Sequence, residues 1–225
     1  MKPSIAPLTV LAVLTASVSA QAAPLRVWHD KSHVFYAGAD GKPHAVRKPA
    51  AGVDRDPAAS PDGRRIAFIH FAKAPDPGEV GRGELMVFDV ARGHTMRAAP
   101  PHASQAPGRD FTKLHAPTFS NDGRTIYVMA MAWVTSDSIH AVNPATHTER
   151  FVVGGNSLSV IRNGPYAGDL LVSEHRYFPG GGSYDPTFVV RPNGHEVLMV
   201  PGTDGDGDDE AAVAAWLKKG GWRAD

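Results

Sequence analysis

Two twelve-residue segments of this chain match when laid over one another, and that repeat restricts the folds open to it more than any other feature. Residues 57–68 read PAASPDGRRIAF and residues 117–128 read PTFSNDGRTIYV, so Pro57, Ser60, Asp62, Gly63, Arg64 and Ile66 fall on Pro117, Ser120, Asp122, Gly123, Arg124 and Ile126 at a constant offset of 60. Self-similarity of this kind marks an architecture in which each unit hides its apolar face by stacking on the next. Ser-Pro-Asp-Gly and Ser-Asn-Asp-Gly are turn sequences: the Asp or Asn side chain bonds the local backbone and Gly supplies a positive φ. The runs that follow, Ile66 to Ile69 and Ile126 to Met129, have the β-branched and aromatic content of buried strands.

Each motif leads, after a polar loop, into a second hairpin. Leu85 to Val90 turns through Ala91-Arg92-Gly93 toward Thr95, and Ile139 to Val142 turns through Asn143 to Thr146 into Phe151-Val152-Val153. Two further units share only this later part. Val34-Phe35-Tyr36 turns at Asp40-Gly41 into His44-Ala45-Val46, and Phe188-Val189-Val190 turns at Asn193-Gly194 into Val197 to Val200. Strands over 157–161 and 169–174 precede that last hairpin. The 23 glycines and 19 prolines stand as punctuation between short apolar runs, as in a chain of many short strands. One helix is expected, Asp208 to Lys219, with acids at its start, lysines at its end and Gly220-Gly221 as its stop. Its Ala212, Val213, Trp216 and Leu217 form an apolar stripe.

The P-x-x-S-P-D-G-R-x-I-A-F string resembles the WD40-like (PD40) repeat of TolB-type β-propellers, found also in the propellers of prolyl-oligopeptidase-type enzymes. In that family the motif marks the turn between the first two strands of a four-stranded blade. The match is nearly complete at 57–68; Asn121 replaces Pro at 117–128. The resemblance is strong over 54–153 and a hairpin-level echo at 25–50 and 155–200. It implies an all-β fold of β-propeller-type blades, four or five of them, with one short C-terminal helix. The offset of 60 exceeds the roughly 40–45 residues of a usual blade, and Pro-rich loops at 72–84 and 99–113 absorb the excess; a β-sandwich with two similar hairpins is the alternative. So few blades sit awkwardly in a closed ring. An open or incomplete ring leaves a sheet edge in need of cover, and an oligomer is one way to supply it.

The N-terminus has the pattern of a secretory signal peptide. Lys2 precedes an apolar run from Leu8 to Val18, closed by small residues around Ala20-Gln21-Ala22. The run is well short of the roughly 20 residues that cross a bilayer. The expected organisation is a signal peptide at 1–23, a β-propeller-like domain at 24–203, and an acidic loop and helix at 204–225, in a periplasmic or secreted protein with no membrane span after cleavage. The chain has no cysteine, so packing rather than disulfides must stabilise it. Its 23 basic and 23 acidic residues are balanced and scattered, which is not the footprint of a nucleic-acid binder.

Candidate chemistry concentrates at 174–186, EHRYFPGGGSYDP, where polar and aromatic residues surround three glycines. Three consecutive glycines are costly to order unless special backbone angles or a close approach need them. The expected ligand-binding residues are His175, Arg176, Tyr177, Tyr184 and Asp185, joined by His115 and Arg162 if propeller loops gather at the channel mouth. In that arrangement Arg176 takes anions and the tyrosines stack; equally, the segment is a long hairpin loop with its aromatics packed on a neighbouring blade. The acidic run Asp204 to Glu210 begins like a calcium loop, with Asp204, Asp206 and Asp208 as candidate ligands, but has Asp209 and Ala215 where the loop needs Gly and Glu. No other cofactor is expected. The Ser-nucleophile pattern G-x-S-x-G is approached only at Gly155 to Ser159, which lacks the final Gly. The leading functional expectation is a module that binds a protein or a small polar ligand. Its rival is a hydrolase or lyase on a polar or carbohydrate substrate, using the 174–186 loop; a purely structural envelope protein is a third.

Overall fold

The chain is described here by a computed structural model covering residues 25–47, 52–76, 81–106, 108–205 and 209–225; the expected signal peptide lies outside the described residues. Among the described residues the strands form four consecutive blade sheets and one separate two-stranded ribbon. The first holds β1 (Arg26–Asp30), β2 (His33–Ala37) and β3 (His44–Ala45) in that order. The second holds β4 (Val53–Ala59), β5 (Arg65–Phe71), β6 (Glu84–Asp89) and β7 (His94–Arg97), and the third β8 (Leu114–Phe119), β9 (Ile126–Met131), β10 (Asp137–Asn143) and β11 (Thr148–Gly154). In the fourth, β12 (Ser159–Val160) and β13 (Leu170–Ser173) are followed by a small excursion, β14 (Arg176–Tyr177) and β15 (Ser183–Tyr184), before β16 (Thr187–Val190) and β17 (Glu196–Met199) complete the sheet. Every ladder is antiparallel and each four-stranded sheet runs in chain order, β13 passing over the β14–β15 excursion to pair with β16, the meander of a propeller blade.

The repeated motif folds alike in the second and third blades. Ser60 Oγ donates to Asp62 Oδ1 (2.6 Å) and accepts from Arg65 N (2.9 Å), while the same carboxylate oxygen accepts from Arg64 N (3.1 Å). Ser120, Asp122, Arg124 and Thr125 reproduce this at 2.6, 2.9 and 3.0 Å. Gly63 and Gly123 take φ of 66° and 68°, the left-handed turn that glycine enters without penalty. The equivalence reaches further upstream than the matching letters. Both inner strands bulge, between Arg55 and Ala58 and between His115 and Thr118, and both carry a left-handed non-glycine residue there, Asp56 (φ 52°) and Ala116 (φ 46°). Asn121, where the motif departs from Pro, has a tertiary role: its Nδ2 donates to Ile161 O (3.0 Å) and its Oδ1 accepts from Arg162 (2.9 Å), tying the third blade to the fourth.

Strand alternation makes the cores. Successive residues of a strand point to opposite faces, so Ile66 and Phe68 pack against Val34 and Val46 of the first blade, while Ala67, Ile69 and Phe71 pack against Phe119, Ile126 and Val128 of the third. Tyr127, Met129 and Ile139 meet Leu170, Val172 and Val190 of the fourth in the same way. Each interior blade is therefore apolar on both faces, and its strands read as continuous hydrophobic runs. The blades stack one on the next with β1, β4, β8 and β12 innermost, and no closed ring is found among the described residues.

Helix α1 (Asp209–Gly220) lies where a fifth blade would pack. Its Val213, Trp216 and Leu217 cover Leu171, Val189 and Val200 on the outer face of the fourth blade. Acids in its first turn and lysines in its last complement the helix dipole, as expected. Beyond the helix, Ala224 bridges to Ile161, so the last residues also cover the exposed edge beside β12. One end of the arc is thus closed from within the chain.

Candidate functional site

The 174–186 segment is a hairpin with its own packing. Glu174 N donates to Pro186 O (3.0 Å) at its base, Arg176 pairs with Tyr184 and Tyr177 with Ser183, and Phe178 N donates to Gly182 O (3.1 Å) near the tip. Gly181 and Gly182 have φ of 96° and 86°, the special backbone angles expected of this glycine run. Phe178 stacks on Tyr184 with centroids 4.4 Å apart, and His175 meets Tyr177 edge-on at 4.9 Å. His175 Nδ1 is 2.9 Å from Asp185 Oδ1.

Arg176 does not have the role expected of it. Its Nε and Nη2 donate to Glu174 Oε2 at 3.0 and 2.6 Å, Nη2 also reaches Glu196 Oε1 at 2.8 Å, and the guanidinium lies 4.7 Å from the Phe188 ring centroid. Two carboxylates and an aromatic face hold it, so it organises the hairpin rather than offering a free cation to an anion. Glu174 is left in an unusual state. Oε2 is taken by Arg176, whereas Oε1 is buried and has no hydrogen-bond partner. Burial pushes this carboxyl above its ordinary pKa; Arg176 opposes the shift and Glu196 adds to it.

Glu174 lines a cleft of about 380 Å³ between the third and fourth blades. Trp133, Thr135 and Ser136, from the β9–β10 loop, form one wall with Val153 and Gly154 at the end of β11; His175, Tyr177 and Glu196 form the other. Trp133 is seated by glycine: a Cβ at Gly108 would overlap its ring, and one at Gly154 would come within 3.4 Å. The loop is pinned by Trp133 N donating to Ser136 O (2.8 Å) and by Asn156 Nδ2 donating to Thr135 O (3.1 Å). The indole is nevertheless 42% exposed and Tyr177 is 70% exposed. Two exposed aromatic rings on opposite walls thus share one opening with the side chains of Glu174, His175 and Glu196.

Two other expected residues lie elsewhere. His115, on the inner strand β8, pairs with Asp137 Oδ2 at 3.0 Å. Arg162 is a clamp: it donates to Phe119 O (2.8 Å), Asn121 Oδ1 and Thr118 Oγ1 and pairs with Asp225, joining two blades to the chain terminus. Neither lines the cleft, and none of the cleft residues comes from β8 or β12. The 174–186 loop opens into the groove between blades rather than onto the central axis, because the hairpin branches from β13 and β16 and packs against the outer strands. Of the calcium candidates, Asp204 is exposed and Asp206 and Asp208 lie outside the described residues; among the described residues no group of three His, Cys, Asp or Glu side chains is arranged for a metal. Trp133, Thr135 and Ser136 were not foreseen from sequence, although an isolated Trp in a short loop between two buried strands is a usable signal.

A second polar constellation runs through the third blade. Ser138 Oγ is 2.8 Å from His140 Nε2, His140 Nδ1 is 2.5 Å from Glu149 Oε1, and Glu149 Oε2 is 2.8 Å from His102 Nε2. The first three have the connectivity of a Ser-His-acid triad. Ser138 and His140 are fully buried, however, and Ser138 Oγ donates to Ala130 O (3.3 Å), so no substrate carbonyl can reach the hydroxyl. The chain is structural. Burial raises the Glu149 pKa, but the two histidine hydrogen bonds outweigh it and hold this carboxyl below its ordinary range.

The fold and the cleft define a propeller-type blade protein with an interblade groove. No protein-family model matches the sequence, and no curated protein matches it. Among solved structures it is similar to the tricorn protease (TM-score 0.55, 12% identity, covering 82% of this chain and 17% of that one). It is also similar to Porphyromonas gingivalis dipeptidyl peptidase 4 (TM-score 0.51, 12% identity, 82% and 31%) and to TolB from Acinetobacter baumannii (TM-score 0.47, 18% identity, 76% and 38%). The likeness is one of fold alone. The chain spans at most 38% of the length of these three proteins.

Proposed function

We propose that this chain is an exported, PD40-type blade module that binds a small polar ligand, or the polar side chain of a protein partner, in the cleft between its third and fourth blades. The observation that carries the reading is a groove of about 380 Å³ flanked by the exposed rings of Trp133 and Tyr177 and lined by Glu174, His175 and Glu196. A hydrolase or lyase is the second reading, favoured by the His175–Asp185 pair beside a carboxyl of raised pKa, the elements of acid–base chemistry.

Thermal stabilisation of the purified protein by panels of sugars, amines and short peptides, beside Trp133→Ala, tests the binding reading. At least one compound is expected to raise the wild-type midpoint and to leave the variant unmoved. If wild type and variant respond alike to every compound, the cleft is not the site. Turnover of a stabilising compound, lost in His175→Ala, favours the enzyme instead. Export is tested separately: the envelope fraction should contain an N-terminus near residues 21–24, and an intact Met1 there overturns it.

A further inference from the structure

We infer that the cleft and the shoulders of its two loops form one docking surface for a protein partner, which inserts a large apolar side chain between Trp133 and Tyr177 and flanks it with lysine or arginine. This rests on the reading of the cleft as a binding site and adds the kind of partner it fits. Among the described residues five large hydrophobic side chains are exposed, and four of them, Trp133, Val134, Tyr177 and Phe178, belong to the β9–β10 loop and the 174–186 hairpin. Single exposed apolar residues are ordinary; their concentration on two loops that flank one opening marks an interaction surface. Val134 is 102% exposed and, like Phe178, does not line the cleft. A small molecule held in the cleft leaves both in water, whereas a macromolecule laid across the opening removes them from it as well.

The cleft itself suits an anchor. Its volume of about 380 Å³ lies at the low end for ligand pockets, room for one large side chain. Trp and Tyr are the residues that most often carry the energy of an interface. Both walls are held before anything binds: Gly108 and Gly154 seat the indole, Trp133 N donates to Ser136 O, and Phe178 stacked on Tyr184 fixes the hairpin tip, so little entropy is lost on docking. Charge then selects the residues beside the anchor. The Glu196 side chain on the cleft wall is 41% exposed, and that of Asp185, which holds His175, is 55% exposed. Among the described residues no lysine or arginine lines the cleft. Arg176 is committed to Glu174 and Glu196, and Arg109, next to Gly108, lies 4.8 Å from the Phe151 ring centroid. Basic groups on a partner complement this rim, whereas the negatively charged surface of a membrane is repelled by it.

The test follows the indole N–H resonance that disappears in Trp133→Phe while the purified protein is titrated with the capped peptide Leu-Ser-Lys-Phe-Lys-Ser-Leu. The peptide is expected to shift that resonance and to bind about tenfold more weakly when its Phe is changed to Ala. It should bind a few-fold more weakly when its lysines become glutamates, a difference that shrinks as salt is raised. Val134→Ser leaves the cleft lining untouched and should lower the peptide's affinity about threefold; an unchanged affinity confines the occupant to the cleft and overturns the docking surface. Methyl glucoside or n-butylammonium shifting the resonance where the peptide does not also overturns it and leaves the binding site standing. A response to phosphatidylcholine–phosphatidylglycerol vesicles in place of the peptide overturns it too and makes the two loops a membrane contact. No shift of the Trp133 resonance with any probe overturns both the inference and the reading on which it rests.

Discussion

Replacing Glu149 with Ala should destabilise the protein by an amount the structure allows to be worked out group by group. The side chain is about 10% exposed and joins His140, which is fully buried, to His102, whose side chain is 46% exposed. In Glu149→Ala the half-exposed His102 regains water and costs little. His140 cannot: its Nδ1 loses its partner inside the blade while Nε2 stays with Ser138, and a buried polar group left unpaired costs about 1–3 kcal/mol. With the lost side-chain packing the total is about 2–3 kcal/mol, or roughly 5–10 °C in Tm for a chain of this size. His102→Ala removes the exposed half of the chain and should cost no more than about 1 kcal/mol. Urea unfolding at neutral pH measures both.

The pH dependence supplies a second arm. In the folded protein the two histidine hydrogen bonds hold the Glu149 carboxyl below its ordinary pKa. Its contribution is therefore present above the unfolded pKa and is lost as pH falls through the lower folded value. The gap between wild type and Glu149→Ala should be widest near neutrality and should narrow below about pH 4.5. Equal losses from Glu149→Ala and His102→Ala, or a gap that does not narrow in acid, would refute the reasoning.

Ala116→Gly should stabilise, because a left-handed alanine on an inner strand costs roughly 1 kcal/mol that glycine does not pay; a lower Tm in the variant contradicts this. Asp122→Ala removes an acceptor for both Ser120 Oγ and Arg124 N and should cost about 1–2 kcal/mol, measured by the urea midpoint. Asp62→Ala, in the equivalent turn, should cost a similar amount, and a large disparity between the two would show that the turns are not equivalent. Trp216→Ala removes the ring that meets Trp222 at 4.5 Å and Tyr166 at 5.8 Å, and should cost about 2–3 kcal/mol while making the C-terminal helix the first segment to exchange its amide protons.

Most of the elements were legible in the sequence, because their causes are local, although β1 and the short β14–β15 pair were not. Ser-x-Asp-Gly makes its turn from groups within six residues of one another, and the β-branched run after it has no choice but a strand. The same locality explains why the helix was found within one residue of Asp209–Gly220, from its flanking charges and glycines. The propeller character followed from the likeness of the repeated motif to the PD40 repeat, and the 174–186 segment stood out as a cluster of polar and aromatic residues around glycines.

The site depended on contacts that cross blades, and no spacing encodes those. Arg176 could be read as an anion receptor until Glu174 and Glu196, the latter 20 residues away, were seen to occupy it. Arg162 reads from the sequence as a ligand-binding cation, whereas in the fold it clamps Asp225, 63 positions distant. Trp133 entered the site only because stacking brings the β9–β10 loop of one blade against the hairpin of the next. The unfilled end of the arc was likewise settled in three dimensions, by α1 covering the last apolar face. A sequence specifies what each strand must bury; which side chains then face one another across the groove is set by how the blades stack.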